Sequence, residues 1–316
     1  TVLFSALRGL ASVSLLVVLW FGVGAISNGS ISVGDFVALL LFVERLVFPT
    51  ALLGFTITAY QRGEVSVDRI ESILTVEARI QDALGALPLE RSQVKGELIA
   101  RHLTFTYPSL GGSSRAALDN VSFRVSPQET VAIVGPIGAG KSTLANALPR
   151  LLEIAPNQLF LDGYDITKLR IHDLRGAIAY VPQESFLFST SIRDNFPQQY
   201  DTVVGERGIT LSGGQRQRTA LARALVTDAP ILILDDSLSS VDNQTATQIL
   251  NNLAEGSDRK TVLFISHQLS AAAMADRIFV MDQGKIVQSG THATLIAQNG
   301  LYQSLWEQQK FEEALR

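Results

Sequence analysis

The chain has 316 residues, 47% hydrophobic and 18% charged, with a formal net charge of −4. That length leaves room for roughly two domains, and the lack of a basic excess argues against nucleic acid as a partner. There is no cysteine, which excludes disulfides and thiolate metal sites, and the four histidines (His102, His172, His267 and His292) show no paired metal spacing.

Much of the apolar content lies at the N-terminal end. The first residue is Thr1 and the opening segment is already apolar, so the chain reads as starting partway through a longer protein. Leu10–Ile26 carries no charge and as a helix would be about 25 Å long. That is near the lower limit for crossing the ~30 Å hydrocarbon core, and Val2–Leu7 can lengthen it. Trp20 and Phe21 sit where interfacial aromatics are expected. After the polar turn Ser27–Ser30, a second apolar run extends from Phe36 to Tyr60, interrupted by Glu44, Arg45 and Pro49. Pro49 would free the carbonyl of Arg45 and kink a helix, which membrane helices tolerate when neighbours satisfy the backbone. The lengths and the short turn favour a membrane hairpin, with helices over about 7–26 and 36–60, rather than two buried helices of a soluble core. Glu44 and Arg45 are costly in lipid, so they are expected to face other helices or a water-filled pathway.

Val67, Ile70, Ile73 and Leu74 keep an apolar helical face while polarity rises, predicting that the second helix continues into water. The expected division is a C-terminal part of a transmembrane domain over 1–77, a linker over 78–96 containing Gly85 and Pro88, and a further domain over 97–316. In that domain, strands are expected at Glu97–Tyr107 and Ala117–Val125. β-rich runs then alternate with helical segments: Thr130–Val134, Leu159–Leu161, Ile178–Val181, Ile231–Leu234, Val262–Ile265 and Ile278–Met281. That order predicts an α/β fold with a mainly parallel sheet.

Gly135-Pro136-Ile137-Gly138-Ala139-Gly140-Lys141-Ser142 fits the phosphate-binding pattern G-x-x-x-x-G-K-[ST] and stands between the strand Thr130–Val134 and the helical segment Ser142–Leu148. Its glycines let backbone N–H groups converge on phosphate oxygens, and the helix N-terminus adds partial positive charge. Lys141 would reach the β- and γ-phosphates, and the Ser142 hydroxyl would ligate Mg²⁺. Asp235, ending the aliphatic run Ile231–Leu234, is a second candidate Mg²⁺ ligand. Leu211-Ser212-Gly213-Gly214-Gln215 precedes the helical segment Arg216–Val226 and forms a second anion site at a helix start. A P-loop needs one such start, so the second is expected to serve another subunit's nucleotide.

With that string the sequence resembles the ATP-binding-cassette (ABC) transporter family, exporter type, over nearly its whole length. The resemblance implies a P-loop NTPase cassette with a mainly parallel core sheet and an antiparallel β-subdomain, bound to ATP through 135–143 and 212–215. Tyr107 resembles the family's adenine-stacking aromatic and Gln183 the Q-loop residue that touches Mg²⁺. Val204–Gly208 resembles the exporter X-loop, Asp242 in Ser239–Asp242 the D-loop, and His267 the switch histidine at the γ-phosphate. His102, His172 and His292 match no motif and are expected to be structural or exposed. The family's architecture further implies two cassettes packed head to tail around two ATPs, with a second half-transporter as partner, membrane lipid around the helices and the cassette on the cytoplasmic side of a plasma or inner membrane.

Two departures qualify this. Asp236 stands where active members usually carry the Glu that polarises the attacking water; this resembles the weakly hydrolysing half of a heterodimeric exporter, with Asp236, His267 and Gln183 as its catalytic set. Only 27 residues separate Gln183 from Leu211, too few for the usual helical subdomain, and two membrane helices stand in place of the usual six. The leading expectation is an ATP-driven exporter subunit. The alternative is an ATP-binding regulatory or structural half with little turnover, and the membrane hairpin argues against a soluble ABC ATPase of DNA repair or translation.

Overall fold

The computed structural model describes residues 2–108, 115–184, 212–238, 248–249 and 259–314. The chain divides into two units, Thr1–Ala78 and Arg79–Arg316. The first is a helical hairpin of α1 (Val2–Ser27) and α2 (Val33–Leu74). Its turn closes with Ser30 N–H donating to the Ala25 carbonyl (3.0 Å) and Gly29 at φ +71°, a left-handed helix end that glycine reaches without steric cost. Helix α2 restarts at a capping box: Ser32 Oγ accepts from Asp35 N–H at 3.1 Å and Asp35 Oδ2 accepts from Ser32 N–H at 3.1 Å. The two helices meet where Gly22 leaves room for the Phe36 ring; a Cβ on Gly22 would lie 2.1 Å from it. Trp20, Phe21 and Phe48 are exposed. By length and composition Val33–Leu74 is the one helix able to cross a membrane among the described residues, and Ser12–Ser27 is a shorter apolar stretch. Pro49 lies inside α2, which runs on to Leu74 as the apolar face at 67–74 predicts.

The second unit holds two sheets. The smaller is antiparallel, ordered β2-β1-β4-β5 from β1 (Leu98–Phe105), β2 (Leu118–Val125), β4 (Leu159–Leu161) and β5 (Tyr164–Asp165). The larger is ordered β10-β9-β3-β8-β7-β6, from β3 (Thr130–Val134), β6 (Ile178–Val181), β7 (Ile231–Asp235), β8 (Thr261–Ile265), β9 (Arg277–Asp282) and β10 (Lys285–Gly290). All its pairings are parallel except that of β10, an antiparallel edge strand. Every residue of β3, β7 and β8 is buried, as aliphatic runs covered on both faces require. Val131 and Ile133 face a core shared with Leu98, Leu103, Leu144 and Leu159; Ala132 and Val134 face another with Leu221, Phe264 and Tyr302.

The helices of this unit are α3 (Lys141–Ala147), α4 (Ile171–Gly176), α5 (Gly213–Val226), α6 (Leu269–Ala272), α7 (His292–Ile296) and α8 (Leu301–Ala314). The stretch 79–96 is hydrogen-bonded along this unit. Leu87 pairs in parallel with Leu169, Asp82 Oδ1 accepts from Ile171 N–H at 2.7 Å, and Asp173 Oδ2 accepts from Leu89 N–H at 3.2 Å. The Arg91 guanidinium donates to the Thr227 carbonyl just beyond α5. Of the histidines outside the motifs, His102 and His172 are exposed, and His292 Nδ1 lies 2.8 Å from the buried Tyr302 hydroxyl.

Candidate functional site

Chain order in the large sheet positions the site. From β3 the chain passes to the far edge at β6 and returns through β7 and β8, so the carboxyl ends of four parallel strands lie side by side. Crevices beyond such ends are where open α/β sheets bind ligands. A cleft of about 350 Å³ opens there, lined by residues 137–143 together with Ala117, Gln183, Asp235, Asp236, Ile265 and His267. The sequence reading did not anticipate Ala117 or Ile265. They enter because β2 and β8 begin and end at the cleft.

Beyond β3 the loop 135–140 turns tightly. Gly135 has φ +149° and Gly140 φ +97°, and a Cβ on either would lie 2.1 Å from the Met281 carbonyl oxygen or 2.5 Å from that of Ala117. Only glycine fits both the conformation and the space. Gly140 is the N-cap of α3, with no side-chain cap, so the first amides of the helix are available to an anion. Lys141, 6% exposed, folds back so that Nζ donates to the carbonyls of Gly135 (2.8 Å) and Pro136 (2.9 Å). Burial holds its pKa below the usual lysine value, opposed by the charges of Asp236 and Asp235. Tyr107 packs edge-on against Phe105 at 4.9 Å, with its hydroxyl 3.4 Å from Thr143 Oγ1.

Asp235 ends β7 and is 3% exposed. Its Oδ1 accepts from Ser142 Oγ at 3.0 Å and its Oδ2 lies 3.4 Å from the Tyr180 hydroxyl. Burial raises its pKa; the hydrogen bonds from Ser142 and Tyr180 oppose the rise, the nearby Asp236 carboxylate adds to it, and Lys141 opposes it. A carboxyl raised in this way adds stability below the ordinary carboxylate range and loses that contribution as pH climbs through the raised value. Above that raised value the ionised group opposes folding. Asp235→Asn is expected to raise the melting temperature of the nucleotide-free chain in EDTA while losing the further rise that Mg²⁺ and ATP give. A lower melting temperature in EDTA would refute this reading of the charge.

The donor set fits magnesium. Ser142, Asp235 and Gln183 offer hard oxygens, and Mg²⁺ is typically held by substrate phosphates plus one or two protein groups. Asp236 follows in the left-handed region at φ +47°, its N–H donating to the Ile265 carbonyl at 3.2 Å.

Ser212, Gly213, Gly214 and Gln215 do not line this cleft. They begin α5 in a capping box: Ser212 Oγ accepts from Gln215 N–H at 3.2 Å and Gln215 Oε1 accepts from Ser212 N–H at 2.8 Å. Ser212, Gly213 and Gln215 are exposed, so one chain presents two separate phosphate-suited helix starts. Leu211, Val204–Gly208, Ser239–Asp242 and the interval 185–210 lie outside the described residues.

A P-loop cleft at the sheet's carboxyl edge, with a second glycine-started helix outside its lining, defines a nucleotide-binding cassette. The model of the ABC transporter family matches residues 118–239. An ABC transporter ATP-binding protein of Bacillus subtilis, YfiB, is 34% identical over 95% of this chain and 56% of its own. An ATP-dependent lipid A-core flippase of Pseudomonas aeruginosa is 37% identical over 93% of this chain and 51% of its own. A solved structure of a bacterial Atm1-family ABC exporter with ATP bound superposes with a TM-score of 0.74 at 31% identity, covering 98% of this chain and 58% of that one. The chain belongs to the ABC transporter family. It spans about half the length of the curated relatives it matches.

Proposed function

We propose that this chain is the ATP-binding and hydrolysing half of an exporter subunit, binding ATP and Mg²⁺ in the cleft beyond β3 and coupling them to export across a plasma or inner membrane. The observation that carries the reading is the convergence of Lys141, Ser142, Gln183, Asp235, Asp236 and His267 on one cleft. The loop 135–140 and the start of α3 would hold the phosphates, with Lys141 turning its charge from the loop carbonyls to the anion. Ser142, Asp235 and Gln183 would hold the metal, which supplies charge neutralisation between the phosphates. His267 would meet the terminal phosphate and Tyr107 the adenine. Residues 212–215, outside the lining of the chain's own cleft, would complete a partner's site, and Asp242 would lie at that interface.

The membrane reading rests on α1 and α2, with the cassette on the cytoplasmic side. We favour a second, non-identical half-transporter as partner, because Asp236 shortens this chain's own hydrolytic carboxylate while its signature segment is intact from Ser212 to Gln215. The short interval before the signature weakens coupling by this chain. Both Gln183 and His267 line the cleft, which favours turnover over the purely regulatory alternative.

The test is ATP hydrolysis in detergent and in lipid, by the chain alone and mixed with a half-transporter that carries Glu after its own strand-end Asp. Weak turnover alone and brisk turnover on mixing are expected. Brisk turnover alone would sink the shared-site reading, and no nucleotide binding at all would sink the function.

A further inference from the structure

Asp235 has two carboxylate oxygens and each meets a hydroxyl. Oδ1 meets Ser142, inside the phosphate-binding motif; Oδ2 meets Tyr180, a residue of β6 three positions before Gln183. We propose that Tyr180 is a positioning residue, whose hydroxyl fixes the Asp235 carboxylate in the orientation that magnesium binding needs. The proposal rests on the reading of Asp235 as a metal ligand.

The placement follows from the sheet. β6 and β7 are parallel neighbours with Tyr180 opposite Ile233 and Val181 opposite Leu234, which puts Tyr180 level with the residue two before the strand end, where Asp235 stands. The ring packs against the core beneath α3, and the hydroxyl emerges between α3 and β7. Its single proton has two acceptors in reach, Asn146 Oδ1 at 2.9 Å and Asp235 Oδ2 at 3.4 Å. The phenol thus ties the phosphate-loop helix to the strand that carries the carboxylate. Tyr180 does not line the cleft, so its effect on nucleotide must pass through Asp235 or Asn146. Burial and the Asp235 charge both push its pKa well above the ordinary tyrosine value, keeping the group a donor. A rigidly oriented ligand binds a geometry-demanding ion better than a rotating one, and supporting hydrogen bonds to ligating carboxylates commonly set that orientation.

Tyr180→Phe removes one oxygen and keeps the ring. With the whole chain in detergent and a fluorescent ATP analogue as probe, the Mg²⁺ concentration giving half-maximal binding is expected to rise about fivefold, the scale of one ordinary hydrogen bond lost. Analogue affinity in EDTA should stay within twofold. In an Asp235→Asn background the same substitution should change the Mg²⁺ dependence less than twofold, because its target is gone. Asn146→Ala leaves the phenol in place with Asp235 as its remaining partner, so the half-maximal Mg²⁺ concentration should fall or hold. It also serves as the probe if Tyr180→Phe misfolds. A rise in Asn146→Ala matching that of Tyr180→Phe assigns the effect to packing of α3 and overturns the proposal. So does an unchanged Mg²⁺ dependence in folded Tyr180→Phe. If the unsubstituted chain binds no analogue, the parent reading of the cleft falls instead.

Discussion

Lys141→Ala is expected to weaken ATP binding about 100-fold. The ammonium group sits at the first position of α3, nearly out of solvent, and donates to two carbonyls of the loop that would surround the phosphates. Desolvation works against its charge and is only offset in part by Asp236 and Asp235. An anion arriving at the α3 N-terminus supplies the missing counter-charge in a water-poor site. Charge-assisted hydrogen bonds there contribute about 1.5–3 kcal/mol each, so losing one or two corresponds to one to several powers of ten in affinity. The substitution also leaves the Gly135 and Pro136 carbonyls without this donor, so melting curves of the nucleotide-free chain are needed beside the binding titration. Stability near wild type with affinity collapsed is the expected pair of results. An affinity within threefold of wild type would remove the phosphate-binding role from the loop.

How far the sequence disclosed this site depends on how local each feature is. The loop 135–142 was fully legible, because a glycine pattern between a β-branched strand and a helix encodes its own turn. Asp235 and His267 were legible as strand ends, although their meeting at the loop after β3 depends on β8 lying between β3 and β7, a sheet order no local pattern contains. Tyr180 was passed over as a metal-site residue because its partners are 34 and 55 positions away and arrive by strand register. The start of α5 was expected at Arg216, since two glycines argue against helix; the Ser212 capping box instead begins it at Gly213. β10, exposed at every second residue, lacked an apolar run to mark it. The stretch 78–96 drew attention through Gly85 and Pro88, while the bonds that fix it come from Lys168, Arg170 and Asp173, far away in the chain.

Asp236→Glu is the substitution expected to raise activity. In the paired transporter, turnover at this chain's own cleft should rise about 10- to 100-fold, because misplacing a catalytic group by about 1 Å costs on the order of 100-fold and the added methylene extends the carboxylate by about that distance. The backbone opposes the change. Asp236 occupies the left-handed region at φ +47°, where aspartate is several-fold enriched and longer side chains are not. Strain of about 1 kcal/mol is the expected cost, seen as a lower melting temperature, against a gain of up to about 2.7 kcal/mol in the barrier for 100-fold. The backbone N–H bond to Ile265 does not involve the side chain and survives the exchange, so the catalytic gain should win. Asp236→Asn separates the readings. If the unmodified chain already turns over ATP briskly and Asn abolishes it, Asp236 is itself a competent catalytic residue and the weak-site view fails. If turnover is low and Asn changes it little while Glu raises it, the cleft is one that binds nucleotide and leaves most of the hydrolysis to its partner.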